Sequence, residues 1–310
     1  MIINISDVWE DASNYHFDFL SAHMNEGMKV LGSSIIDMYI RSFLEENRDI
    51  IIRGKPTDLI FCIASFRSYF GDKDLSRCAL QKIDKIFDFS SFSKKSKKKE
   101  WTAYDLCLMA KYKVCCYCHM NSTGASLPND EEKGYRPPID HFYAKSEYSF
   151  ISLTLSNFIP CCEKCNGSQM KHSIDFALIP HLNPLIDEES IEFELHPIAF
   201  DSNLAEALAL QLPAENYKLN LEAKINKLLA KKSIETFQLK SRYKSYSKQA
   251  YHLARRARSF SARKHMLDSE LLFKTELEDL LEFDQDSYKN AEYGKLRLCI
   301  AKQFGAIDDF

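Results

Sequence analysis

The sequence predicts a mainly α-helical protein with one small metal-binding core, and three observations lead to this fold class. Apolar residues recur at helical spacing from about Phe17 to Phe87 and again from Ala214 to Gly305. Two C-x-x-C pairs stand in the segment between these regions. One stretch, Ile191–His196, alternates apolar and polar residues, which is typical of a half-buried strand.

The N-terminal helical region is expected to end between Asp88 and Glu100, where the chain passes into the lysine cluster Lys94–Lys99. Polar and basic stretches of this kind are typical of exposed connections. A short amphipathic helix from Trp101 to Tyr112 should then lead to the first cysteine pair. The sequence therefore predicts three parts: an N-terminal helical region (1–100), a metal-binding domain (101–200) and a C-terminal helical region (201–310).

Composition excludes several classes of protein. The 310 residues are 45% hydrophobic and 27% charged, which is ordinary for a globular protein in water. No apolar run approaches the roughly 20 residues of a membrane span, so no membrane association is expected. The start of the sequence, Met1–Asp7, lacks the basic and apolar pattern of a secretion signal. We therefore expect a cytoplasmic protein, in which clustered cysteines favour metal binding over disulfides.

The charge is unevenly distributed along the chain. The net charge of -3 argues against a uniformly basic nucleic-acid binder. The segment from Lys224 to Lys264 nevertheless contains 13 Lys or Arg residues and a single acid, Glu235. From Asp268 onward acids dominate. The basic stretch includes tyrosines, a combination that suits phosphate contact with base stacking. Pairing with the acidic helix that follows explains it equally well, and the sequence leaves both interpretations open.

The cysteine-rich segment carries the chemistry. Two C-x-x-C pairs supply the four soft ligands that tetrahedral Zn²⁺ prefers. Cys116 and Cys161 duplicate each pair by one residue, so the register is ambiguous. The interval between the pairs is longer than in a simple zinc ribbon, which indicates a further element between them. The C-x-x-C rule favours four structural zinc ligands: Cys115, Cys118, Cys162 and Cys165.

The motifs between and after these pairs resemble the HNH nuclease family in its zinc-bearing, Asn-ending version. They are Ile139-Asp-His-Phe142, Asn157-Phe-Ile-Pro160, Cys165-Asn166 and Lys171. The resemblance implies a small ββα-metal (His-Me finger) core, in which a β-hairpin and a helix hold one divalent ion. A four-cysteine zinc knuckle would staple this core, because so small a unit has little hydrophobic interior of its own.

The resemblance also implies a role for each motif residue. His141 would be the general base that takes a proton from the attacking water. Asp140 and Asn166 would ligate a catalytic Mg²⁺ or similar hard cation. Asn157 would tie the hairpin loop by hydrogen bonds and hold His141 in orientation. Lys171 would contact a substrate phosphate.

A narrower resemblance concerns the order of the motifs around the site. The run Phe142-Tyr-Ala-Lys-Ser146 and the later Asn183-Pro184-Leu are similar to PtuB, the nuclease family of Septu anti-phage systems. The resemblance implies a toxic effector that cuts nucleic acid and is held in check by an ABC or SMC-like ATPase of the PtuA type. Because some such systems accompany retrons, it also implies a reverse transcriptase and its DNA product as further partners.

Two alternatives remain open at the level of sequence. The same segment can be a non-catalytic zinc module that binds nucleic acid or a protein partner. His119 and His172 adjoin the cysteine pairs and are candidates for substitute ligands or phosphate contacts, although residues in such positions usually face solvent. The sequence does not distinguish DNA from RNA as the substrate, since one metal and one general base serve either.

Overall fold

Capping side chains fix where three helices in the N-terminal half begin. Ser34 and Asp72 each accept a hydrogen bond from a backbone N–H of the first helical turn. Thr102 and Asp105 form a reciprocal capping box. The helix behind this box covers only Ala103–Leu108, so it is shorter than the stretch from Trp101 to Tyr112 that the sequence predicts.

A computed structural model describes most of the chain. The described residues are 2–94, 101–129, 131–172, 174–198, 204–267 and 270–308. Most of the lysine cluster, from Lys95 to Lys99, and Asp268 at the start of the acidic stretch lie outside them. About half of the described part is helical, with two small two-stranded sheets, which agrees with the mainly α prediction.

The described chain divides into two units. The first, here called the hairpin unit, comprises Ile5–Lys113 and Thr123–Ile186. Its helices are α1 (Ser13–Lys29), α2 (Ile35–Glu46), α3 (Arg48–Arg53), α4 (Leu59–Tyr69), α5 (Lys73–Ile86), α6 (Phe89–Ser93), α7 (Ala103–Leu108) and α8 (Glu163–Asn166). Its two strands are β1 (Ile139–His141) and β2 (Phe158–Pro160).

The strands of the hairpin unit form one short antiparallel pair. Asp140 lies opposite Ile159, and His141 lies opposite Phe158. One turn of helix, α8, follows β2 directly. The order strand, loop, strand, helix is therefore present, and all three residues of each strand are buried.

The second unit, here called the sheet unit, comprises Met1–Asn4, Val114–Ser122 and Asp187–Phe310. Strands β3 (Ile191–Pro197) and β4 (Tyr217–Ala223) form its antiparallel sheet. Its helices are α9 (Leu204–Leu208), α10 (Lys227–Thr236), α11 (Leu239–Lys244), α12 (Ser247–Arg263), α13 (Glu270–Leu281) and α14 (Gly294–Gln303). Apolar residues of the sheet face α12 and α14.

Strand β3 confirms the strand predicted from its alternating pattern, with every second residue buried. Strand β4 corrects the expectation that the chain is helical almost throughout from Ala214 to Gly305. Tyr217, Leu219 and Leu221 alternate with polar residues and are buried. Their spacing of two places all three on one face of a strand, and this face packs into the core of the sheet unit.

Candidate active site and metal centre

The predicted catalytic residues border a cleft of about 410 Å³ in the hairpin unit. Strand β1, the loop after it and the end of α8 form its walls. Three of the four catalytic candidates, Asp140, His141 and Asn166, line it together. The remaining lining residues are Phe89, Arg136, Pro138, Ile139, Ala144, Lys145, Ser146, Lys171 and His172.

The ring of His141 is buried and held in one orientation. Its Nε2 lies 2.9 Å from the carbonyl oxygen of Ser152. Because a carbonyl only accepts, Nε2 carries the proton and Nδ1 keeps a lone pair. Phe89 and Phe158 contact the ring edge-on, at centroid distances of 4.5 and 5.3 Å. Burial, together with the nearby Lys145 and Lys171 ammonium groups, lowers the pKa of His141 to about 3, so the imidazole is neutral at physiological pH.

Asp140 forms a buried ion pair with Lys171. The Lys171 Nζ lies 2.8 Å from Asp140 Oδ1 and also donates a hydrogen bond to the backbone oxygen of His141. The ammonium lies 4.7 Å from the centroid of the Phe176 ring. Only 2% of Lys171 is exposed. The cation therefore links the two adjacent residues Asp140 and His141 at the wall of the cleft.

Asn157 closes the loop that joins the two strands. Its Oδ1 accepts the backbone N–H of Tyr143 at 2.8 Å, and its Nδ2 donates to the carbonyls of Tyr143 and Ile151 at 3.1 and 3.2 Å. The side chain is fully buried and is not among the residues that line the cleft. Its bonds hold the start of the loop directly after β1, and thus the backbone that follows His141.

Asn166 is the last residue of α8 and remains partly exposed at the cleft. Its backbone N–H bonds the carbonyl of Cys162 at 3.1 Å. The Asp140 carboxylate and the Asn166 amide both offer hard oxygen atoms on the same cleft, a donor set that suits Mg²⁺ or a similar ion. These two residues would hold such an ion.

Four buried cysteines come together: the sulfur atoms of Cys115, Cys118, Cys162 and Cys165 all lie within 4.8 Å of one another. Ideal tetrahedral zinc, with Zn–S bonds of about 2.3 Å, places its sulfurs about 3.8 Å apart, so the cluster fits this ion. The side-chain amide of Asn121 lies 3.8 Å from the Cys118 sulfur. The four cysteines are the ones that the C-x-x-C rule selects.

The residues that duplicate or adjoin these pairs have other surroundings. Cys116 and Cys161 are fully buried but are not members of the cluster. His119 is buried in the sheet unit, where its Nδ1 accepts the backbone N–H of Lys295 at 3.2 Å. His172 is exposed, has a φ of 41° and lines the cleft beside Lys171.

The cleft also includes residues that sequence reasoning did not select. Phe89 comes from α6, far from the motif in sequence, and no local signal marks it. Arg136 and Lys145 stand close to Asp140-His141 on either side, and Lys145 belongs to the run that carries the PtuB resemblance. Cations near an expected phosphodiester site are the signal that could have drawn attention to these two.

Comparison with known proteins shows a partial similarity to a curated protein. The chain is 32% identical over 76 residues to Septu protein PtuB of Bacillus thuringiensis. The match covers 24% of this chain and 26% of the relative, so the chain matches about a quarter of the relative's length. No family model matches the chain, and no solved structure matches it. Nothing in this similarity concerns a retron or a reverse transcriptase, which remain predictions.

No helix in the described part of the chain combines the length and the hydropathy that a bilayer span requires.

Proposed function

We propose that this chain is a metal-dependent endonuclease of the HNH type that hydrolyses phosphodiester bonds. One observation carries the proposal: Asp140, His141 and Asn166 line a single cleft, and His141 directs its protonated Nε2 to Ser152. The Nδ1 atom is then the ring nitrogen that accepts a proton. A general base and two oxygen ligands for a divalent metal ion are the groups that metal-dependent hydrolysis of a phosphodiester uses.

The residues would divide the chemistry as follows. His141 Nδ1 would accept the proton of the water that attacks phosphorus, and the low pKa of the buried ring leaves Nδ1 unprotonated at physiological pH. Asp140 and Asn166 would hold the divalent ion, which supplies charge stabilisation at the phosphate and at the leaving oxygen. Asn157 and the backbone bond from Lys171 would keep the base in position.

The biological setting is part of the same proposal. The similarity to a Septu protein supports a role in anti-phage defence, in which the chain is the toxic effector. On the basis of the sequence motifs, the proposal also includes control by a PtuA-type ATPase. It further includes association with a reverse transcriptase and its DNA product. The substrate is nucleic acid, either DNA or RNA.

The test compares the same substitution at two buried histidines. In His141→Gln, the side-chain amide can still donate to Ser152 O, but the basic nitrogen is lost. His16 is the control, because its Nε2 also bonds a carbonyl, that of Leu153 at 2.7 Å, and it is not among the residues that line the cleft. Its Nδ1 in addition accepts a hydrogen bond from Trp101 Nε1 at 3.1 Å. We expect His141→Gln to lower Mg²⁺-dependent cleavage by about 100-fold or more, while His16→Gln retains it.

Thermal unfolding and zinc content of both variants show whether the fold is intact. Equal cleavage by the two variants would contradict the role of His141. The alternative, a non-catalytic zinc module, is favoured by one observation: the Lys171 ammonium already neutralises the Asp140 carboxylate. Wild-type protein that binds nucleic acid but cleaves neither DNA nor RNA with Mg²⁺ or Mn²⁺ would support this alternative.

A further inference from the structure

A second cleft of about 470 Å³ adjoins the candidate active site within the hairpin unit. The two clefts share one wall, which consists of Lys145 and Ser146. One face of α5, together with Glu147 and Ser149, completes the lining of the second cleft. A polymer bound in the first cleft that passes over the shared wall therefore enters the second.

The face of α5 in this second cleft is polar and carries cations. Its lining residues recur at helical spacing and are Lys73, Ser76, Arg77, Leu80, Gln81 and Asp84. Lys73 and Arg77 are exposed, and within the described part of the chain Arg77 pairs only with Asp74 of its own helix, at 3.0 Å. Such exposed pairs contribute little free energy, so Arg77 can exchange this partner for a phosphate.

Lys145 adds a third cation at the shared wall, with its ammonium 4.7 Å from the centroid of the Phe89 ring. Asp84 and Glu147 also line the second cleft. The three lining cations nevertheless outnumber the two lining acids, and Lys145 borders both clefts. Cations in a cleft that adjoins a hydrolytic cleft favour binding of a phosphodiester backbone.

A buried hydroxyl in this cleft lacks a partner. Ser149 is 3% exposed, and its Oγ makes no hydrogen bond to any residue in the described part of the chain. Buried polar atoms are almost always hydrogen-bonded, because an unmade bond leaves the cost of desolvation uncompensated. Ser149 lines the cleft, and a small shift of its side chain would let Oγ bond a phosphate oxygen or a sugar hydroxyl bound there.

We infer that the second cleft is a substrate subsite that binds the nucleic-acid backbone beside the bond to be cut. Lys73, Arg77 and Lys145 would contact phosphates, and Ser149 would hydrogen-bond the same backbone. The N-terminal helical region would thus contribute α5 to substrate binding. This inference rests on the proposed nuclease function and extends it.

The main test uses the full chain with the double variant Lys73→Glu/Arg77→Glu. Lys29→Glu/Lys55→Glu is the matched control, because it changes the charge equally at exposed lysines that line neither cleft. Binding of fluorescein-labelled DNA duplex, single-stranded DNA and RNA is measured by anisotropy across a salt series. We expect Lys73→Glu/Arg77→Glu to weaken binding about tenfold or more. The slope of log affinity against log salt concentration should fall by about one to two, with no such change in the control.

Ser149→Ala tests the hydroxyl separately. Because no internal hydrogen bond is lost, we expect an unchanged thermal midpoint and an affinity for the best of the three probes that is lower by about fivefold. Unchanged affinity and salt slope in the charge-reversal variant would overturn the subsite, even if His141→Gln abolishes cleavage. Conversely, if Lys73→Glu/Arg77→Glu loses binding and the wild-type protein does not cleave, the result supports the subsite and contradicts the nuclease function.

Discussion

At the scale of single residues, the contact between Lys171 and Asp140 has the clearest energetic consequence. The ammonium and the carboxylate lie 2.8 Å apart on side chains that are only 2% and 6% exposed, so they depend on one another for solvation. Removing one partner of such a pair leaves the other charge buried and uncompensated. The geometry thus gives Lys171 a positioning role, whereas the phosphate contact expected from sequence stays a prediction.

The double-mutant cycle of Lys171→Met and Asp140→Asn measures this dependence. We expect Lys171→Met alone to lower the free energy of unfolding by about 3 kcal/mol. Adding Asp140→Asn should recover part of the loss, because it replaces the buried, unpaired carboxylate with an uncharged amide. Urea unfolding at neutral pH gives the coupling energy, and strictly additive losses would show that the two side chains do not interact.

His16 makes stability depend on pH. Burial lowers its pKa to about 4 from the ordinary value of 6.5, although its bond to Leu153 O acts in the opposite direction. As pH falls from 6.5 towards 4, His16 becomes protonated in the unfolded chain but stays neutral in the folded chain. The free energy of unfolding therefore decreases. The full stabilisation is present only above pH 6.5.

Replacing this histidine should remove its share of the pH dependence. His16→Gln has no group that titrates in this range, so the loss of unfolding free energy between about pH 7.5 and about pH 4.5 should be smaller than in wild type by on the order of 2 kcal/mol. Urea titrations at both pH values provide the measurement. An identical pH dependence in the two proteins would show that His16 is not a buried neutral histidine in solution.

At the scale of elements, the loop between β1 and β2 depends on Asn157. Asn157→Ala deletes three hydrogen bonds of a buried side chain, and we expect it to lower the free energy of unfolding by about 2–3 kcal/mol. Cleavage should fall further than the folded fraction does, since the chain after His141 loses its anchor. Asn220→Ala, on the partly exposed face of β4, is the control and should change neither property.

Sequence periodicity predicted some elements and misassigned others for a definite reason. Strand β3 alternates strictly between apolar and polar residues up to His196, a period of two that a helix does not have. In β4, Tyr217 and Leu221 are also four residues apart, which matches a helix face, and Lys, Leu, Glu and Ala favour helix intrinsically. Pairing with β3 overrides that local preference, and a pattern read within one short segment does not contain its partner strand.

The candidate site was predictable where its residues are close together in a motif. The sequence selected Asp140, His141 and Asn166 because their order is a local pattern. It did not reveal Phe89 beside His141, or the direction of the Lys171 side chain, because contacts between distant segments depend on how α6 and the chain after α8 pack. Such contacts follow from tertiary structure and have no signature in spacing.

At the scale of the whole molecule, ion pairs within the chain explain part of the uneven distribution of basic and acidic residues. Arg263 pairs with Glu276 at 2.9 Å, and Arg256 lies 3.9 Å from Glu282. The basic helix α12 therefore does pair with the acidic helix α13 and the residue that follows it, one of the two interpretations that sequence left open. Since these side chains are mostly exposed, the pairs contribute little to stability, and they do not prevent the other cations of α12 from meeting an anionic partner.

The cysteine cluster acts on the whole chain because it joins positions far apart in sequence. A metal bound by Cys118 and Cys162 closes a loop that contains Asp140, His141 and Asn157. Closing so long a loop restricts the unfolded chain, and the binding energy of the metal adds directly to folding stability. Removal of zinc should therefore lower the thermal midpoint and, with it, the fraction of chains in which the candidate active site is formed.

Substitution of individual cysteines tests both the metal and the register. We expect Cys115→Ser and Cys162→Ser to lose bound zinc, by elemental analysis of the purified protein, and to unfold at lower temperature. Cys116→Ala and Cys161→Ala should keep one zinc per chain, because their sulfur atoms are outside the cluster. The reverse outcome would place ligands at Cys116 and Cys161, one residue away from the C-x-x-C positions, and would contradict the register that the C-x-x-C rule selects.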